Sequence, residues 1–352
     1  MLLAACIVGC YALLMLLCAY GGHRVWRRHS VVRTMQTPRV SVVVPLRNEE
    51  AQVESLVQCL LQQDYTDYEC ILVDDHSTDR TWERLQACCD ARIRVLSARA
   101  EGKKAALLTG VQAAQGGYVL TTDADCRMDA DWLRSMVQTA LQQDAGLVIG
   151  PVRMEGMPLA ALEYLSLSAV TAGTAGLGHP VMCSGANLLV RREAWLQAAA
   201  KLEWSEAGGD DQFLLGALKA SGVPVAYAGH RESLVRTKTP VGVGEFLSQR
   251  ARWAGKSRRY KDAGMLATAI LVLLTQCVLL GAVGWMWVDP RIGWLWLPVA
   301  AANGMVLWPA ARFFRQERLL YWFPVAQVLY PCYVLAVLIR LLIPNQWKDR
   351  KI

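Results

Sequence analysis

Three acidic clusters, one lysine at the start of a helix and one basic-aromatic cluster carry the chemistry legible in this chain of 352 residues. Asp123 and Asp125 flank one small residue just past the β-branched and aromatic run 118–121. Such a turn lets two carboxylates share a divalent cation. Mg²⁺ and Mn²⁺ prefer oxygen donors and often bind through one or two carboxylates plus substrate phosphates. Asp74 and Asp75 close the apolar run 70–73, where an acid can accept the imide or amide proton of a nucleobase; Ser77 or Thr78 behind them can cap the next helix. Gly102-Lys103-Lys104 opens a helix, and Lys103, with the positive end of the helix dipole, suits a phosphate, whereas Lys104 reads as a surface lysine. Gly209-Asp210-Asp211 precedes another helix. An acid there can cap the helix, or can take the proton of an attacking hydroxyl, assistance typically about 10²–10⁴-fold. Farther along, Gln249 and Arg252 lie three apart on one helical face with Trp253 beside them. That set suits a site that holds a diphosphate and stacks a sugar ring at a membrane surface.

Placing these residues requires strands and helices in alternation. Residues 40–44, 70–73, 93–96 and 118–121 read as strands, and 49–62, 78–88 and 103–114 as helices. The alternation implies an α/β fold with a parallel sheet and right-handed crossovers. Three of the four strands deliver polar residues at their carboxyl ends, the edge at which open α/β sheets bind ligands. Past residue 150 the pattern loosens. Residues 159–175 are apolar and rich in small side chains, fit to lie on a membrane or to cap the sheet, and 241–261 read as an amphipathic helix whose basic face lies among lipid headgroups.

The remaining sequence is strongly apolar. Residues 2–20, 263–288, 292–311 and 319–339 carry no charge, and runs of about 20 apolar residues match the hydrocarbon thickness of a bilayer. About four spans are expected, the last broken or re-entrant at Pro324 and Pro331. The expected division is a transmembrane anchor at 1–21, an α/β domain at 38–235, an interface helix at 236–262 and about three membrane segments at 263–345. Arg24, Arg27, Arg28 and Arg33 follow the first run, which favours an uncleaved anchor in a cytoplasmic (inner) membrane with the following domain in the cytoplasm. The net charge of +7 gathers beside the apolar runs, as contact with anionic lipid headgroups requires. No nucleic-acid-binding motif accompanies it. The eleven cysteines show no metal-ligand spacing and read as free thiols of a reducing compartment.

In this order, the motifs resemble the membrane-integrated family 2 glycosyltransferases, which include cellulose, hyaluronan and chitin synthases and single-addition enzymes such as ceramide glucosyltransferase. Ser41 to Pro45 with Asn48 and Glu49 match the family's first strand and loop, residues 71–75 its nucleotide-binding acids, and 102–110 its glycine-lysine helix start. Asp123 to Asp125 match its metal motif, Cys183, Ser184 and Gly185 with Ala186 and Asn187 its acceptor-side loop, and Gln249, Arg252 and Trp253 its QxxRW motif. Asp210 and Asp211 stand where the family has Glu-Asp. The resemblance implies a GT-A fold and an inverting transfer from a nucleotide-diphosphate sugar, most simply a UDP-sugar. Asp211 is the implied base, with Asp210 beside it. Pro45, Glu49, Asp74, Asp75, Lys103, Asp123, Gln249 and Arg252 are implied on the donor, and Cys183, Ser184, Gly185 and Trp253 on the acceptor. Mg²⁺ or Mn²⁺ is implied at Asp123 and Asp125. The expected acceptor is a lipid-linked sugar or other membrane-associated molecule, or alternatively a growing polysaccharide. A non-catalytic scaffold subunit would show lost acids, and none is missing. A nucleotidyltransferase would need a glycine-rich loop after the first strand, and Pro45 to Glu49 is not one.

Overall fold

The computed structural model describes residues 1–27, 36–199, 210–256, 262–343, 346–347 and 350–351. The expectations resting on Arg28, Arg33, Gly209 and residues 257–261 lie outside the described residues, and for Asp210 only the backbone is described. In chain order the helices are α1 Leu2–Trp26, α2 Val53–Leu61, α3 Thr81–Gln86, α4 Lys103–Ala113, α5 Trp132–Gln142 and α6 Pro158–Gly176. They continue as α7 Arg192–Ala199, α8 Asp210–Ala220, α9 Gly242–Gly255, α10 Ala263–Trp285, α11 Trp296–Phe314 and α12 Phe323–Arg340. The strands are β1 Val40–Leu46, β2 Tyr68–Asp74, β3 Ile93–Ser97, β4 Tyr118–Thr121 and β5 Arg127–Met128. After them come β6 Leu147–Ile149, β7 Val152–Glu155, β8 Leu188–Arg191, β9 Val225–Tyr227 and β10 Val235–Lys238. The chain forms two compact units. One comprises Arg28–Val152 and Met182–Lys238; the other comprises Met1–Arg27, Arg153–Val181 and Thr239–Ile352.

The first of these is an α/β unit built on a seven-stranded sheet of order β3-β2-β1-β4-β8-β6-β9. β1 pairs in parallel with β2 and β4, and β2 with β3. β8 runs antiparallel to β4 and β6, and β9 is parallel to β6, so the sheet is mainly parallel. The unbroken apolar runs of β2 and β4 are buried throughout, as strands covered on both faces must be. Helix α4 packs closely on this core because residue 110 is glycine: a Cβ there would stand 2.4 Å from Val43 Cγ1.

A charged residue near the start of β2 is locked inside the sheet. Glu69 of β2 is 3% exposed. Its Oε1 accepts from Ser41 Oγ at 2.7 Å and from the Gln115 amide at 2.7 Å, and its Oε2 accepts from Arg94 Nη1 at 3.0 Å. Burial alone would raise the Glu69 carboxyl; these donors outweigh it and hold the group below its ordinary 4.5.

The second unit is helical. α1 and α6 meet through small residues: a Cβ on Gly173 would lie 2.5 Å from the Cys18 carbonyl oxygen, and one on Gly176 would lie 2.1 Å from that of Gly21. Close backbone approach of this kind is how helices associate where the surroundings are as apolar as the side chains. The apolar stretch expected at 159–175 is thus a partner of the first helix. Among the described residues three helices are long and apolar enough to cross a membrane, Leu2–Trp26, Ala263–Trp285 and Glu317–Arg340. The fourth uncharged run is α11, which is less apolar and carries Asn303; Tyr11 Oη donates to Asn303 Oδ1 at 2.8 Å, and Asn303 Nδ2 donates to Gln327 Oε1 at 3.1 Å. Part of the expected break is present: the last segment starts as a 3₁₀ turn, Glu317–Trp322, and becomes α-helical at Phe323, next to Pro324. Pro324 lies in the first turn of α12, where its missing N–H costs nothing, and Pro331 sits within a continuous helix.

Two stability changes follow. Glu69→Ala removes the acceptor shared by Ser41, the Gln115 amide and Arg94 and should cost about 2 kcal/mol at neutral pH. The native contribution is full above the ordinary value of 4.5 and is lost as pH falls through the lower folded value, so the gap between variant and parent in thermal unfolding should narrow toward about pH 4. Gly173→Val forces α6 away from α1 and should lower the melting temperature of the detergent-solubilised chain, whereas substitution at Gly9, which has open space around it, should not.

Candidate active site

The loops that follow β1 and β2 are stitched to each other. Leu46 lies opposite Asp74 in the parallel register. Arg47 Nη1 donates to the Asp75 carbonyl at 3.1 Å, the Asn48 amide to Ser77 Oγ at 3.0 Å, and the Thr78 amide to Asn48 Oδ1 at 2.8 Å. The Glu49 amide donates to Thr81 Oγ1 at 2.8 Å and the Glu50 amide to Asp79 Oδ2 at 3.2 Å. These contacts correct two expectations. The helix expected from residue 49 begins at Val53, because the amides of Glu49 and Glu50 are engaged by the second loop. The helix expected from residue 78 begins at Thr81, whose amide donates to Asp79 Oδ1 at 2.9 Å; Ser77 and Thr78 face the first loop instead of capping. Pro45, half-buried opposite Val73, offers no amide to this network.

The acids at the end of β2 are both buried. Asp74 Oδ2 accepts from the Ser77 amide at 3.2 Å, while its Oδ1 has no hydrogen-bond partner among the described residues. Asp75 Oδ1 accepts from the Gly102 amide at 2.7 Å. Gly102 has φ +113°, a conformation that a side chain would strain, so this contact depends on glycine. Burial pushes the Asp75 carboxyl up, opposed by the Gly102 amide, Arg47 and His76. The next residue, Lys103, places Nζ 2.6 Å from Asp123 Oδ1. Lys104 is not the surface residue expected: it is 5% exposed, with its ammonium 5.0 Å from the Phe213 ring centroid.

Asp123 and Asp125 stand just past β4. With Cys126 they offer ligand atoms that all lie within 4.8 Å of one another. Thr237 Oγ1 of β10 donates to Asp125 Oδ2 at 2.8 Å. The two carboxylates fit a hard cation that completes its shell with phosphate oxygens. Burial, with Asp123 and Asp125 alongside, holds the Cys126 thiol well above its ordinary range. Neither Cys126 nor Thr237 was legible as part of this cluster from spacing: Cys126 lacks a second soft ligand in sequence, and Thr237 comes from more than a hundred residues away.

Asp211 is brought to the loop that holds Cys183, Ser184 and Gly185. Its Oδ2 accepts from the Gly185 amide at 3.1 Å and its Oδ1 from the Gln212 amide at 2.8 Å. Gln212 Nε2 donates to the Cys183 carbonyl at 2.9 Å, and Cys183 Sγ to the Asp211 carbonyl at 3.3 Å. The Gly185 carbonyl in turn accepts from Thr121 Oγ1 of β4 at 3.0 Å, two residues before Asp123. Within the same loop the Asn187 amide donates to the Ser184 carbonyl at 3.1 Å. Asn187 is fully buried; its side chain donates to the carbonyls of Pro151 and Ser233, each at 2.8 Å, and accepts from Trp132 Nε1, which makes it a structural pin. Asp74, Asp75, Lys103, Asp123, Asp125 and Asp211 thus belong to one connected framework in the α/β unit.

Gln249, Arg252 and Trp253 lie on α9 in the helical unit. Trp253 is 40% exposed, and burial lowers the Arg252 guanidinium from its ordinary value, with Glu245 opposing and Arg340 adding. The expected basic face is only partly a surface: Arg250, which the motif's spacing left aside, is 3% exposed and pairs with Glu163 of α6.

Comparisons with known proteins agree with this architecture. The family model for glycosyl transferase family 2 matches residues 41–194, and that for glycosyl transferase family group 2 matches residues 118–344. An N-acetylglucosaminyltransferase of Azorhizobium caulinodans is 26% identical over 252 residues, covering 65% of this chain and 62% of the relative. An undecaprenyl-phosphate 4-deoxy-4-formamido-L-arabinose transferase of Pseudomonas aeruginosa is 36% identical over 125 residues, 33% of this chain and 36% of the relative. The chain spans less than two thirds of the length of these curated relatives. Among solved structures, the mannosyltransferase PcManGT from Pyrobaculum calidifontis, in complex with GDP-Man and Mn²⁺, superposes with a TM-score of 0.62 over 96% of this chain and 97% of that one, at 20% identity; the likeness is one of fold. With the second family model spanning well over half of its length, the chain belongs to glycosyl transferase family group 2 and has the GT-A fold.

Proposed function

We propose that this protein is an inverting glycosyltransferase that moves a sugar from a nucleotide-diphosphate sugar, most simply a UDP-sugar, to a lipid-linked acceptor at the membrane. The observation that carries the reading is the connected framework in which Lys103 holds Asp123 of the acidic pair while Asp211 is held on the Cys183–Gly185 loop. Asp211 takes the proton of the acceptor hydroxyl as that oxygen bonds to the anomeric carbon, and the bond from that carbon to the diphosphate breaks with its electrons leaving on the diphosphate. A single displacement on a nucleotide α-sugar gives a β-linkage. Asp210 stands beside the base in sequence. Bound at Asp123 and Asp125, Mg²⁺ or Mn²⁺ would supply Lewis-acid stabilisation of the departing charge. Lys103 adds a cation there; in the helical unit, Gln249 and Arg252 are the donors that the family resemblance implies for the diphosphate. Asp74, whose buried Oδ1 awaits a donor, accepts the imide proton of the base, with Asp75, Pro45 and Glu49 shaping the nucleotide loop. Ser184, Cys183 and Gly185 line the acceptor side, and Trp253 stacks on the acceptor sugar.

The membrane supports the choice of acceptor. Among the described residues three helices are long and apolar enough to span it, and one relative is named an undecaprenyl-phosphate 4-deoxy-4-formamido-L-arabinose transferase. Arginines after α1 favour a cytoplasmic α/β unit. The decisive assay offers the purified, detergent-solubilised chain a panel of UDP- and GDP-sugars with Mn²⁺ and a membrane-lipid extract. Metal-dependent nucleotide release with one short lipid-linked product is expected; a ladder of long chains would establish a polymer synthase instead. Asp211→Asn should reduce transfer by at least about 10² with nucleotide affinity nearly unchanged; retained turnover would move the base role elsewhere. Asp125→Ala should abolish the enhancement of nucleotide affinity by Mn²⁺, and an undiminished enhancement would remove the metal assignment.

A further inference from the structure

The helical unit contains a buried ion pair that the reaction scheme above does not use. Arg250 of α9 and Glu163 of α6 have side chains 3% and 9% exposed. Arg250 Nε lies 3.1 and 3.0 Å from Glu163 Oε1 and Oε2, and Nη2 lies 2.6 Å from Oε2, a forked charge-assisted pair. Tyr333 Oη of α12 donates to the same Oε1 at 2.9 Å. The remaining nitrogen, Nη1, donates to Gln249 Oε1. The guanidinium carbon lies over two aromatic rings, 4.3 Å from the Trp253 centroid and 4.7 Å from that of Phe246. Two of the three motif side chains on α9 therefore touch one guanidinium.

Stability alone does not call for this arrangement. A buried ion pair can usually be replaced by apolar residues of similar volume without loss. What the pair provides is orientation. With Oε1 of Gln249 occupied by Arg250, the amide N–H groups are what Gln249 has left to offer. A diphosphate accepts hydrogen bonds, so this is the useful polarity; the flipped amide would turn an oxygen toward it. The same cation lies on the Trp253 ring and fixes its plane.

We propose that Arg250, anchored by Glu163 and Tyr333, is a positioning residue that sets the amide polarity of Gln249 and the ring plane of Trp253 for binding the donor diphosphate and the acceptor sugar. The inference rests on the roles proposed above for Gln249 and Trp253. The test is calorimetric titration of UDP and of GDP, each with Mn²⁺, into the full detergent-solubilised chain. Arg250→Lys keeps a cation opposite Glu163 but loses the fork and the flat face. It should weaken nucleotide binding about tenfold, as should Gln249→Ala. In the double variant the losses should not multiply, with no more than about a further twofold, because Arg250 acts through Gln249. A second variant, Arg250→Met with Glu163→Leu and Tyr333→Phe, should keep the melting temperature close to the parent and still lose the same affinity. Independent, multiplying losses, or unchanged affinity in Arg250→Lys, would overturn the inference. So would failure of both Arg250 variants to fold, which would make the cluster purely structural. Unchanged affinity in Gln249→Ala alone would instead remove the diphosphate role of the motif, and the inference with it.

Discussion

Carboxylates gathered at one edge of a sheet repel one another, and such an edge persists only where other elements bring a donor to each. The α/β unit meets this constraint residue by residue. Asp75 is answered by a glycine amide, Asp123 by Lys103, Asp125 by Thr237, and Asp211 by the amides of Gly185 and Gln212. Gly102 and Lys103 are adjacent, so a single turn at the start of α4 serves both the second and the fourth strand. Its positive φ explains why that turn begins on glycine. The donors come from the start of α4, from β10, from α8 and from the Cys183–Gly185 loop, so four separate elements hold the acids in place. Among the acids of this edge, Asp74 Oδ1 is buried with no hydrogen-bond partner among the described residues.

Each unit also hides an acid that has no part in the chemistry as drawn. Glu69 ties β1, β2 and β3 to the turn before β4. Glu163 ties α6 to α9 and α12. Each has donors on both carboxylate oxygens, and the same rule governs both: a buried carboxylate is tolerated when donors meet it, and its partners are then fixed in place. In the sheet this fixes strands. In the helical unit it fixes a guanidinium on which Gln249 and Trp253 rest.

The helical unit obeys a different economy. Apolar side chains have little to gain from one another where the surroundings are equally apolar, so contact depends on how near backbones can come. Gly21, Gly173 and Gly176 allow α1 and α6 to approach to distances that any Cβ would forbid. Polar side chains on the apolar helices pair among themselves, as Tyr11, Asn303 and Gln327 do. Both devices come from parts of the sequence that hydropathy alone reads as featureless.

The sequence by itself determined the local elements and the chemical inventory. Strand β4 falls where its β-branched run predicts, and β1, β2 and β3 extend only one to three residues beyond theirs, because buried parallel strands need continuous apolar stretches. The acidic pairs, Lys103 and the α9 motif were legible because each carries its chemistry within a few residues. Helix starts were less so: α2 and α3 begin three or four residues late, since amides and hydroxyls that local rules assign to capping are claimed by a loop some thirty residues away. Lys104, Thr237, Asn187 and Arg250 show the same limit. Whether a lysine is buried on a phenyl ring, a threonine holds Asp125, or an arginine is sealed against Glu163 depends on partners far along the chain. Periodicity records which way a side chain faces along its own element; only the packing of elements decides what it meets there.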